Sequence, residues 1–203
     1  MLDGSLIVPE GATTIVLFVH GSGSSRHSPR NQFVARTLNQ AGLATLLFDL
    51  LTAKEEAADI RTAKYRFDIS LLARRLLLVT EWTLEQTATR DLRIGYFGSS
   101  TGGGAALVAA AERSGEVNAV VSRGGRPDLA GNSLAGVRAP TLLIVGGSDP
   151  AVIELNERAR QQMRCEVRLE IVAGATHLFG EPGALEQVAQ LAVDWFVSRG
   201  GKS

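Results

Sequence analysis

One cysteine, Cys165, stands in 203 residues. A single thiol excludes an intramolecular disulfide framework and a cysteine-rich zinc cluster, and it fits a reducing compartment. Charge of one sign is also missing: 21 basic residues balance 21 acidic ones. This balance offers no electrostatic attraction to nucleic acid or to an anionic membrane surface. No apolar run approaches the roughly 18 residues that span a bilayer, and Met1-Leu2-Asp3-Gly4-Ser5 lacks the basic and apolar regions of a secretion signal. The expectation is a cytoplasmic protein of one domain over residues 1–203, monomer or homodimer, with a small-molecule substrate, no nucleic acid, no membrane and no cofactor or metal. Its length suffices to bury a core without covalent help. The tail Gly200-Gly201-Lys202-Ser203 looks like half a phosphate-binding loop without its upstream glycines or its helix, and reads as a frayed end.

What is present is a regular alternation. Short β-rich apolar runs occur at Leu6-Ile7-Val8, Thr14 to His20, Leu43 to Asp49, Arg93 to Phe97, Asn118 to Ser122, Thr141 to Val145 and Arg168 to Val172. Helical spacing fills the gaps at Asn31 to Ala41, Phe67 to Glu85, the small-residue run Gly103 to Ala111, Pro150 to Met163 and Ala184 to Val197. Strands alternating with helices about six times predict an open, mostly parallel sheet covered on both faces. Leu50 to Arg66 is charged and poorly periodic, and reads as a solvated excursion, the one place for a cap. Trp82 and Trp195 fall on helical faces and read as core; Cys165 reads as packing.

In such sheets ligands sit beyond the carboxyl ends of the strands, and the polar clusters of this chain follow strands. Gly98-Ser99-Ser100-Thr101-Gly102 lies between the Arg93 to Phe97 strand and a helix, where glycines two places either side of a serine permit a tight turn that exposes its hydroxyl. The flanking glycines select Ser100 over Ser99. Nucleophilic serine needs a base and an acid that orients the base, both later in the chain. His177 is the only histidine downstream, in Gly174-Ala175-Thr176-His177 after the last strand. Asp149, in Gly146-Gly147-Ser148-Asp149-Pro150, is the favoured acid, although an aspartate before Pro at a helix start is also a good N-cap. Asp128 is the reserve. An oxyanion would be received by the backbone N–H of Thr101 and by that of Ser22, in the loop His20-Gly21-Ser22-Gly23. Arg123 and Arg126 could receive a substrate carboxylate, or be solvated or paired with Asp128. Gly21-Ser22-Gly23 also opens a dinucleotide fingerprint, but the sixth position is Arg26 and Pro29 delays the helix.

The four loops in this order resemble the α/β-hydrolase superfamily, and within it the small dienelactone-hydrolase-like proteins, from about Leu6 to Val197. The resemblance implies a three-layer α/β-hydrolase fold of about six to seven strands with little or no cap. It implies Ser100 as nucleophile, Asp149 as acid and His177 as base. Dienelactone hydrolases often carry cysteine at the elbow, so Ser100 favours ordinary ester chemistry through an acyl-enzyme. A catalytically idle binding module and an acyltransferase using the same triad are the competing expectations.

Overall fold

The computed structural model describes residues 2–200, so the Gly201-Lys202-Ser203 part of the tail lies outside the described residues. The apolar runs form strands β1 (Gly4–Ile7), β2 (Thr14–Val19), β3 (Ala44–Phe48), β4 (Arg93–Ser99), β5 (Val117–Arg123), β6 (Thr141–Gly146) and β7 (Val167–Val172). They make one sheet in the order β1-β3-β2-β4-β5-β6-β7. Every pairing is parallel except that of the edge strand β1 with β3. Helices α1 (Pro29–Gln40), α2 (Ala53–Thr62), α3 (Ile69–Glu85), α4 (Thr101–Glu112), α5 (Pro150–Gln162) and α6 (Ala184–Gly200) connect or follow them, and a 3₁₀ segment, Pro127–Gly136, leads from β5 towards β6.

The period-2 geometry of β2 shows why the sheet needs helices on both sides. Ile15, Leu17 and Val19 enter one core, with Leu72 and Leu76 of α3 and the alanines of α4. Val16 and Phe18 enter the other, with Val34 and Leu38 of α1 and Val188, Ala192 and Phe196 of α6. All six residues of β2 are buried. From β2 the chain steps to β3 on one side and later returns to β4 on the other, so β2 and β4 bound the point where strand order reverses.

Two readings of the sequence are corrected. Residues 50–66 are not merely a solvated excursion: α2 forms there, started by a reciprocal capping box between Thr52 and Glu55. Its only buried residue is Asp59, whose carboxylate takes the Tyr65 and Arg66 N–H groups and the Arg66 Nε. Trp82 lies on the outer face of α3, 44% exposed, because α3 turns Leu72, Ala73, Leu76, Thr80 and Thr83 inward instead. Trp195 is buried as expected. Cys165 is half-buried beside the core, where burial pushes its thiol up from the ordinary value.

Candidate active site

β4 is the central strand, and a single residue separates its end from the start of α4. That leaves Ser100 alone to make the turn, at φ 51° and ψ −122°. A non-glycine residue held there stores strain of order 1–3 kcal/mol and persists only where its surroundings impose it. The surroundings do. The Ser100 N–H donates to the Arg123 carbonyl at 3.3 Å, and its own carbonyl accepts from Gly103 and Arg126 N–H at 3.0 Å each. At Gly102 a Cβ would lie 2.1 Å from the Val19 carbonyl oxygen, and at Gly98 one would lie 2.6 Å from the Gly102 oxygen. Both flanking glycines are therefore required by close backbone approach, which is the reason for their spacing around Ser100.

The loops after β6 and β7 are tied to each other. The Gly147 and Ser148 N–H groups donate to the Val172 and Ala175 carbonyls at 2.8 and 2.9 Å. This brings Asp149 Oδ2 to 2.9 Å from His177 Nδ1. Asp149 is the N-cap of α5, yet its side chain makes no capping bond. Its carboxylate faces His177 instead of the helix, with side-chain exposures of 19% and 39% for acid and base. Asp128 is engaged elsewhere, by Arg126.

His20 fixes the loop after β2. Its two ring nitrogens bond the Gly21 carbonyl and the Leu50 N–H, at 2.9 and 3.0 Å. The Leu50 bond makes Nε2 an acceptor and Nδ1 the donor, so the ring is neutral, and burial pushes its pKa below the ordinary value. The same loop is tied to α4, because the Ser22 N–H donates to Thr101 Oγ1 at 3.0 Å. The Ser22 N–H was expected to be free for an oxyanion; in the structure it already has an acceptor, since the Thr101 hydroxyl reaches across from the first residue of α4. The Thr101 N–H belongs to the first turn of α4, where backbone donors have no intrahelical partner.

A cleft of about 240 Å³ contains Ser22, Ser100 and His177 together with Arg30, Asn31 and Arg123. The two arginines named from the sequence thus part company. Arg123 lines the cleft at the end of β5, 8% exposed. Burial, and then the neighbouring charge of Arg30, push its pKa down to about 10. Arg126 does not line it: its guanidinium grips Asp128 through two bonds of 2.8 and 2.7 Å, and only its backbone N–H serves the Ser100 turn. Sequence reasoning missed Arg30 and Asn31. They occupy the first turn of α1, a stretch that a helical apolar pattern leaves unmarked.

A mostly parallel sheet covered on both faces, with a strained serine between β4 and α4 and an Asp–His pair after β6 and β7, defines a protein of the α/β-hydrolase fold. The chain matches the Alpha/beta hydrolase domain family over residues 12–196, and it belongs to that family. Among solved structures it is similar to a dienelactone hydrolase from Anabaena variabilis, with 62% identity, a TM-score of 0.96, and coverage of 98% of this chain and 92% of that one. Est1E from Butyrivibrio proteoclasticus shares the fold at a TM-score of 0.78 and 17% identity, over 98% of this chain and 94% of that one. Two curated proteins from strains of Mycobacterium tuberculosis, provisionally named phosphoribosyl transferases, are 61% identical over 194 residues. Those residues are 96% of this chain but 43% of each relative, so the chain spans less than half of the proteins that carry the transferase name. Among the described residues no helix is long and apolar enough to cross a membrane, and no cluster of metal-ligating side chains occurs.

Proposed function

We propose that residues 1–203 act as one domain, a serine hydrolase that cleaves small carboxylic esters through an acyl-enzyme on Ser100. The observation that carries this reading is the Asp149–His177 bond, made at the expense of a helix cap, with His177 in the same cleft as a strained serine. Asp149 accepts the Nδ1 proton and so leaves Nε2 as the ring's acceptor. Nε2 takes the hydroxyl proton as Ser100 Oγ attacks the ester carbonyl, and then gives it to the departing alcohol. Asp149 holds the tautomer and balances the imidazolium. The acyl-enzyme is hydrolysed by water activated in the same way.

The oxyanion is assigned to the Thr101 N–H, with the N-terminus of α4 behind it. The Ser22 N–H can join only by exchanging the Thr101 hydroxyl for the oxyanion. The similarity to a dienelactone hydrolase supports ester or lactone chemistry, and a cleft of about 240 Å³ suits short acyl chains.

The test is turnover of 4-nitrophenyl butyrate against the palmitate. The butyrate is expected to react at least about tenfold faster, and Ser100→Ala is expected to remove turnover while leaving the thermal midpoint in place, an oxyanion-donor loss alone costing about 10²–10³. Undiminished activity in Ser100→Ala would overturn the assignment.

A further inference from the structure

Arg123 is an expensive residue to place where it is. Its guanidinium is buried at the end of β5, 6.0 Å from the ring centroid of Phe179, and its one hydrogen bond is a long one, 3.4 Å from Nη2 to Asn31 Oδ1. Nε and Nη1 are buried and have no acceptor. Arg30, close enough to depress the ionisation of Arg123, also has a buried Nε without an acceptor. Neither arginine belongs to an ion pair among the described residues, whereas Arg26, Arg66, Arg75 and Arg126 all do. The carboxylate of Asp149 is committed to His177. Asn31 cannot supply the missing acceptors, because both lone pairs of its Oδ1 are already engaged, by the Ser99 hydroxyl at 3.2 Å and by Arg123 Nη2 at 3.4 Å. A buried guanidinium with unfilled donors is strongly disfavoured, and the like charge of the partly exposed Arg30 beside it adds to the cost, unless a ligand completes them.

From these unfilled donors we infer that the Ser100 cleft contains an anion subsite, formed by Arg123 and Arg30 at the start of α1, which receives a phosphate monoester carried by the ester substrate. The inference rests on the reading of Ser100 as the reacting residue. The charge count selects phosphate over carboxylate. Two guanidiniums without an ion-pair partner among the described residues match a dianion better than a single carboxylate charge. Three nitrogens without an acceptor, Arg123 Nε and Nη1 and Arg30 Nε, face the three terminal oxygens that a phosphate monoester offers. The first turn of α1 contains no acidic side chain, and its amide end adds to the positive field. Arg123 is joined to the reacting serine through its backbone, so a phosphate seated on it is held in fixed relation to the elbow.

Three acetyl esters that share an acetylated three-carbon core decide the matter: 1-acetylglycerol 3-phosphate, 3-acetylglycerate and uncharged 1-acetylglycerol. Loss of a charge-assisted pair is worth about 10- to 100-fold. The expected kcat/KM for the phosphate ester exceeds that for acetylglycerol by at least about tenfold, with acetylglycerate between them. Arg30→Gln, on a half-exposed residue, and Arg123→Gln should each pull that ratio towards one. If Arg123→Gln does not fold, Arg30→Gln alone decides. A ratio near one in the unaltered protein, or a ratio unmoved by the variants, overturns the subsite; a preference for acetylglycerate overturns its assignment to phosphate. Binding of methyl phosphate to the Ser100→Ala protein, followed by calorimetry, reads the subsite without catalysis. Heat of binding that Arg30→Gln abolishes supports the subsite even if Ser100 proves unreactive, and absence of binding to the unaltered cleft refutes it.

Discussion

Asp149→Asn separates chemistry from architecture more cleanly than any other single change. The substitution keeps the size of the side chain and its ability to cap α5, and removes only the negative charge facing His177. In the structure that charge accepts the Nδ1 proton at 2.9 Å and makes no bond to the helix. An asparagine amide that donates to Nδ1 forces the proton onto Nε2, where it blocks removal of the Ser100 proton; one that accepts from Nδ1 keeps the tautomer but cannot balance the imidazolium. Tautomer loss in such a triad costs about 10⁴ in kcat. Here both partners are partly open to solvent, at 19% and 39%, and water screens some of the charge. The expected loss is therefore nearer 10³ in kcat/KM, about 4 kcal/mol of transition-state stabilisation. Stability should fall by less than about 1 kcal/mol, since no capping bond is lost. The assay is the initial rate of 4-nitrophenyl butyrate hydrolysis beside a urea unfolding curve. Activity within tenfold of the unaltered enzyme would refute the role assigned to Asp149.

Other consequences follow from the fold. Gly102→Ala places a methyl group 2.1 Å from the Val19 carbonyl, and is expected to cost about 3 kcal/mol or more, whereas Gly180→Ala, with nothing within 4 Å, should stay within about 0.5 kcal/mol; chemical denaturation compares them. The Tyr96 phenol is buried, bonded to Thr80 at 2.8 Å, and its pKa is pushed up to about 12, chiefly by burial. Below pH 10 both the folded and the unfolded chain keep this proton; between 10 and 12 only the unfolded chain loses it. Stability should therefore drop by up to about 1.4 kcal/mol per pH unit across that window and no further above it. Tyr96→Phe should flatten this alkaline limb, and an unchanged limb would refute the burial argument.

Much of the candidate site's geometry was legible because its residues answer to backbone necessity. Gly98 and Gly102 announce the turn that Ser100 must make, and the order of strands puts Asp149 and His177 on adjoining loops. Side chains whose role depends on partners far along the chain were not legible. Arg123 and Arg126 look alike in Arg123-Gly124-Gly125-Arg126-Pro127-Asp128, yet one meets Asp128 two residues away and the other meets Asn31 from α1. Spacing cannot distinguish them. The signal for α2 was present in Thr52-x-x-Glu55, but the helix buries a single carboxylate rather than an apolar stripe, so periodicity passed over it. Ser22 shows the same limit at finer scale: the loop was located, and the acceptor of its N–H was a hydroxyl 79 residues away.

The central claim is that Ser100 is a nucleophile activated by His177. The most direct measurement is reaction of the intact protein with a fluorophosphonate, followed by mass analysis of the modified peptide. One phosphonyl group per chain on Ser100, lost in Ser100→Ala and slowed in His177→Gln, is the predicted result. An unmodified protein, or modification at another residue that persists in Ser100→Ala, would contradict it.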